Sequence, residues 1–344
     1  MELTDFCTRT KEFKQVLTAI QKHQRQLITG ISGSARTLLL MALQKNLDQP
    51  QLVITDSLFH MQELAADLEN LLPEEEIYQF PVEEVLAAEV ATSSPNYRLQ
   101  RVQALNALIN NKSAIVIAST AGLRRNIVAP ELFKQAKLSL KVGGEIDPEK
   151  AADQLSSMGY QRQKMVLRPG DFAVRGSIID IYSLNTDDPV RVDLFDTEID
   201  SLRYFDASTQ RSIKNVDEVE ILPATDFILP VNEFERVEEK LAEQYEQLKK
   251  QADGEDELEQ LANWFEPLLT DLKQHQLTNE FLTYTNLIYP QGHSLLDYLS
   301  ADGAVHIDDW TRIKQTAKEI GEEELGWLED KAKHHQILQA VSLG

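Results

Sequence analysis

Four short apolar segments punctuate the first 120 residues, and helical patterns fill the gaps between them. The segments are QLIT (26–29), QLVIT (51–55), EIYQF (76–80) and SAIVIAS (113–119). Each is too short for a buried helix and rich enough in β-branched residues for a buried strand. Amphipathic patterns lie near 35–47, 57–71 and 96–110. Strand–helix alternation of this kind predicts a parallel sheet with right-handed crossovers. Ligands of such sheets sit at the carboxyl ends of the strands, and the loop after Thr29 lies at that end.

That loop has the frame of a phosphate-binding loop, G-x-x-x-x-G-K-[ST], with two changes. Gly30 and Gly33 are present, but Ala35 stands where the second glycine belongs and Arg36 where the lysine belongs; Thr37 keeps the hydroxyl that would reach magnesium. A Cβ at position 35 obstructs backbone approach to phosphate, and a planar guanidinium does not reproduce the point charge of an ammonium. Gly/Ser-rich strand–helix turns also arise without any phosphate, so the loop alone leaves both readings open. A second feature weighs in. The segment AVHIDDW (304–310) reads as a strand that closes on Asp308 and Asp309. Nucleotide motors carry such a pair at the end of a later strand, one acid for Mg²⁺ and one for the attacking water. The loop and the acids together resemble a motor domain that no longer turns over, although Asp-Asp after a strand also closes ordinary turns.

Near residue 138 the period changes. LSLKV, a turn and a short helix lead into DFAVRGSIIDIYS, PVRVDLFD and EIDSLRYFD, which alternate with period two. In PVRVDLFD the alternation puts Val190, Val192 and Leu194 on the core face and Arg191, Asp193 and Phe195 on the other. An outward aromatic four residues from an arginine has the composition of an interface hot spot. The other reading buries Phe195 beneath a helix and pairs Arg191 with Asp193. From about 231 the chain is helical. Phe234, Val237, Leu241 and Leu248 form one stripe, and Leu258, Leu261, Phe265 and Leu268 a second, across the turn DGED (253–256). Two such helices predict an antiparallel hairpin.

The formal net charge of −22 argues against a general surface for DNA or anionic membrane. Residues 138–227 alone hold 10 basic and 17 acidic side chains, which weakens a DNA-binding reading of that unit. Cys7 is the only cysteine, so no disulfide framework exists, as suits a reducing cytoplasm. No signal peptide or membrane span is visible. The seven histidines show no metal-ligand spacing, and His334-His335 reads as a solvated helix face. No metal and no cofactor are expected.

The stretches GISGSART, LKVGGEIDPEKAADQLSSMGYQRQKMVLRPGDFAVRGSIIDIYSLNTDDPVRVDLFDTEIDSLRYFD and SLLDYLSADGAVHIDDW together resemble the UvrB-homology module of the bacterial transcription-repair coupling factors (Mfd). The resemblance covers essentially the whole chain, and RGSIIDIY…VRVDLFDTEIDSLR is its most specific part. It implies an α/β fold: a degenerate P-loop, helicase-like parallel-sheet domain (1–137), an inserted small α+β domain that binds UvrA (138–228), and a helical segment with a closing strand that returns to the first domain (229–344). UvrB keeps an intact phosphate loop, an Asp-Glu pair and a long aromatic-rich hairpin that grips damaged DNA. Here the corresponding connection is only PVEEVLAAEVATSSP (81–95). The resemblance further implies a scaffold without catalysis, with Arg175, Arg191 and Phe195 as UvrA contacts. RNA polymerase, DNA and an ATP-driven translocase would belong to the remainder of a longer chain beyond Gly344, whose C-terminal domain would mask the UvrA face at rest. The rival reading is a UvrB-like ATPase that inspects DNA.

Overall fold

The computed structural model describes residues 8–73, 76–84, 94–110 and 113–333. Cys7, His334-His335 and most of the 81–95 connection lie outside the described residues. The chain divides into two compact units: residues 1–86, 103–125 and 294–322 form the first, and residues 87–102, 126–293 and 323–344 the second.

Among the described residues, twelve strands are numbered in chain order: β1 (Gln51–Thr55), β2 (Ile77–Phe80), β3 (Ile115–Ser119), β4 (Leu138–Lys141), β5 (Gln161–Arg162), β6 (Asp171–Arg175), β7 (Ile178–Ile181), β8 (Val190–Phe195), β9 (Glu198–Phe205), β10 (Ser212–Val216), β11 (Glu218–Ile221) and β12 (Ala304–Ile307). In the first unit a four-stranded sheet runs β12-β1-β3-β2, with every pairing parallel. β1 and β3 are buried at every residue, as strands covered on both faces must be. The helix Leu58–Glu69 packs Met61, Leu64, Ala65 and Leu68 against Val53, Ile115 and Ile117. The helix Ser34–Gln44 adds Leu40 and Met41 to the same core, and Phe13 of helix Lys11–Gln21 packs against Leu43 and Leu47.

The parallel sheet matches the sequence expectation except at one segment. Residues 26–29 form no strand, and Leu27 is 89% exposed. β1, the centre of the sheet, already has β12 on one side and β3 on the other. Apolar alternation creates a strand only where a neighbour offers hydrogen bonds, and none of the described strands pairs with this segment.

In the second unit a six-stranded sheet runs β10-β9-β8-β7-β6-β5, antiparallel from β10 to β6, and β11 pairs with β4. The helix Pro148–Ser157 starts where Asp147 accepts from the backbone of Glu149 and Lys150, with Pro148 at its first position. It buries Ala151, Ala152 and Leu155 in a core with Phe172, Ile179, Ile181, Val190, Val192, Leu194, Ile199 and Leu202. Arg101 and Asp226 form an ion pair at 2.9 Å in this unit, both side chains 1% exposed. Helices Phe234–Gln251 and Glu255–Lys273 make the expected hairpin, with Tyr245 stacked on Phe265 at 5.2 Å. Two stripe positions differ from the sequence reading. Tyr245 rather than Leu248 is buried, and Leu272 is buried while Leu258 at the mouth of the second helix is exposed.

Candidate functional site

The first candidate is the carboxyl rim of the parallel sheet. Gly30 (φ +80°) and Gly33 (φ +53°) hold the left-handed backbone that the turn into helix Ser34–Gln44 requires. The groups that would bind nucleotide are engaged elsewhere. Arg36 donates from Nη1 to Asp308 Oδ2, so one acid of the pair is already neutralised from within. The Thr37 hydroxyl is buried and lies 3.4 Å from Asp67 Oδ2. Asp309, at φ +56°, caps the next helix: its Oδ1 accepts from the Arg312 backbone at 3.2 Å, and its Oδ2 lies 3.4 Å from Arg312 Nε. Asp56, just past β1, meets His60 Nδ1 at 2.6 Å. Ala35 is exposed on the first turn of the helix. The fold brings Arg36 to Asp308, and Arg36, Thr37, Asp56, Asp308 and Asp309 each meet a neighbouring side chain or backbone group.

The second candidate is the outer face of β6–β9. The burial of β8 alternates as its sequence does: Val190, Val192 and Leu194 are buried, Arg191 and Asp193 half-buried, and Phe195 is 78% exposed. Cross-strand register aligns Ala173, Asp180, Arg191 and Arg203 in one row, and Arg175, Ile178, Asp193 and Ser201 in the next. Arg191 does not pair with Asp193. It donates to Asp180 twice, Nε to Oδ1 at 2.6 Å and Nη2 to Oδ2 at 2.8 Å, and lies 4.4 Å above the Phe205 ring. Asp180 raises the pKa of Arg191 by accepting from its charged form. Asp193 takes Arg203 Nη1 at 2.7 Å and Ser201 Oγ at 3.1 Å. Arg175, beside the left-handed Gly176, donates Nη2 to Asp180.

A scan against protein families matches residues 138–227 to the family described as "UvrB interaction domain". The middle segment is a UvrB interaction domain. The whole chain is similar to proteins named transcription-repair-coupling factor: 32% identical to that of Bacillus subtilis (strain 168) over 98% of this chain and 29% of the relative. The protein of Staphylococcus haemolyticus (strain JCSC1435) is 33% identical over 92% of this chain and 27% of the relative. That of Staphylococcus aureus (strain MRSA252) is 31% identical over 89% and 26%. The resemblance carried by GISGSART, RGSIIDIY and VHIDDW therefore holds along nearly the whole chain. The chain spans less than a third of the length of these relatives.

Within the UvrB interaction domain, sequence reading singled out Arg175, Arg191 and Phe195 and missed Asp180, Phe205 and Gln210. Asp180 is 0% exposed, and Gln210 Oε1 accepts from Arg191 Nη2 at 3.1 Å. One signal for Asp180 was present: a lone acid at the centre of the apolar run SIIDIY. Its meaning appears only when the register sets it across from Arg191.

Proposed function

We propose that this chain recruits UvrA through the outer face of its UvrB interaction domain, as a catalytically silent scaffold in transcription-coupled nucleotide excision repair. One observation carries the reading: a segment of the UvrB interaction family presents an accessible aromatic, Phe195, on the same sheet face as a half-exposed arginine, Arg175. An exposed aromatic with a nearby cation is what an interface anchor needs: a large apolar area and a placed charge. RNA polymerase and DNA are partners of the remainder of a longer protein, together with an ATP-driven translocase. Phe195 and Ile213, both exposed, also favour a resting state in which another part of that protein covers this unit.

The engagement of Arg36 by Asp308 and of Thr37 by Asp67 supports silence at the nucleotide loop over a DNA-inspecting ATPase. Titration of purified UvrA against the chain tests the recruitment reading. Phe195→Ala is expected to weaken binding by ~2 kcal/mol or more with an unchanged melting temperature. Val192→Asp is expected instead to unfold the unit, by burying a charge without a partner. Wild-type affinity for a folded Phe195→Ala variant would remove this face from the interaction.

A further inference from the structure

We infer that Asp180 is the positioning residue of this face: it locks Arg191 in place and leaves Arg175 as the cation offered to a carboxylate of the partner. The inference rests on the recruitment reading above and assigns the roles within it. Asp180 sits in mid-β7, in register with Ala173 on one side and Arg191 on the other. Its carboxylate is fully buried and serves two guanidinium groups. Arg191 takes both oxygens in a forked arrangement, and Arg175 Nη2 shares Oδ2. A fork-to-carboxylate pair fixes orientation as well as distance. Gln210 and the Phe205 ring hold the same guanidinium from other directions, and the Arg191 side chain is only 14% exposed. Arg191 therefore has little surface to offer a partner. Arg175 is 44% exposed and hangs from the same carboxylate by one nitrogen, which leaves its other N–H groups for a partner.

The charges on the face support this division. Arg191 and Arg203 stand opposite each other in register, a destabilising like-charge pair unless each has its own acid. Asp193 serves Arg203 and Asp180 serves Arg191. Of these five charges Arg175 is the surplus cation; an exposed acid, Glu198, stands opposite Phe195 in register. Arg175 lies beside the β6–β7 turn, where Ser177 O accepts from the Leu194 backbone at 2.8 Å, so it is at the same end of the sheet as Phe195. The partner surface that fits has an acidic side chain next to an apolar socket: the acid takes the free edge of Arg175 and the socket takes Phe195.

The test is a double-mutant cycle on the affinity for purified UvrA, with a melting curve for each variant. Arg175→Ala and Asp180→Asn are each expected to weaken binding about tenfold, and the double variant no more than about twofold beyond either single one. Phe195→Ala is expected to cost the same factor in the Asp180→Asn background as in the wild type, which a general loss of structure would not preserve. Should Asp180→Asn fail to fold, Asp180→Glu keeps the charge and displaces the carboxylate by about one bond length; it is expected to melt near wild type and still lose about tenfold in binding. Additive losses, or wild-type binding by Asp180→Asn or by Asp180→Glu, while Arg175→Ala and Phe195→Ala are weakened, would overturn the assignment of Asp180 alone. Wild-type binding by both Arg175→Ala and Phe195→Ala would overturn the face itself.

Discussion

Arg36 shows how a single side chain redirects a site. A lysine there would be a mobile point charge waiting for phosphate; the arginine ends on Asp308. Restoring Ala35→Gly and Arg36→Lys together returns the loop sequence but leaves Thr37 on Asp67 and Asp309 on the cap of its helix. Phosphoryl transfer needs a metal-holding hydroxyl and acid plus a placed water. The double variant is therefore expected to release no phosphate above the wild-type background in a coupled assay; sustained turnover would contradict this. His306 is a second residue with a measurable signature. It contacts Gln51 Oε1 at 2.8 Å while Gln51 Nε2 donates to Gln44, which makes His306 Nε2 the donor. Burial pulls its pKa from 6.5 down to about 4. The unfolded chain thus binds a proton at higher pH than the folded one. The stability contribution is present above about pH 6.5 and is lost as pH falls towards 4. The melting temperature of His306→Gln is expected to fall less steeply than that of wild type between those two values.

Among the elements, the helical hairpin gives the clearest contrast of positions in one pattern. Leu241→Ala removes a fully buried side chain and is expected to cost about 2–5 kcal/mol, whereas Leu258→Ala, on an exposed site, should stay within about 0.5 kcal/mol. Urea titration of the two variants separates them. Periodicity alone placed both leucines on core stripes, because it cannot see that Leu258 falls in the first turn, where the partner helix has already ended. The same reasoning explains what else was legible. β1, β3, β8 and β9 could be read directly, since buried neighbours impose period two or full burial on them. β10 carries only exposed or half-exposed residues, so its sequence SIKNV gave no pattern although its backbone pairs with β9. The segment 26–29 had the pattern without the neighbour. At the candidate sites, the types and spacing of Arg36, Asp308, Arg191 and Phe195 were visible, but their pairing was not. The Asp180 carboxylate acquires two arginines only through sheet register, which no local pattern records.

For the whole molecule, charge and topology set the expectations. With −22 net charge, there is little counterion release to drive association with duplex DNA. Fluorescence anisotropy with plain and lesion-bearing duplexes at physiological salt is expected to show no saturable binding below micromolar protein. Among the described residues, no helix is long and apolar enough to cross a membrane. The pairing of β1 with β12 has a consequence in time. Gln51 is registered against Ala304, so about 250 residues must be made after one strand before its neighbour exists. At roughly 5–20 residues per second, that wait lasts on the order of 10–50 s on the ribosome. The sheet of residues 161–216 has all its strands long before then. The UvrB interaction domain is thus the first part of the newborn chain able to settle, while the first sheet stays one edge short until the chain passes Ile307.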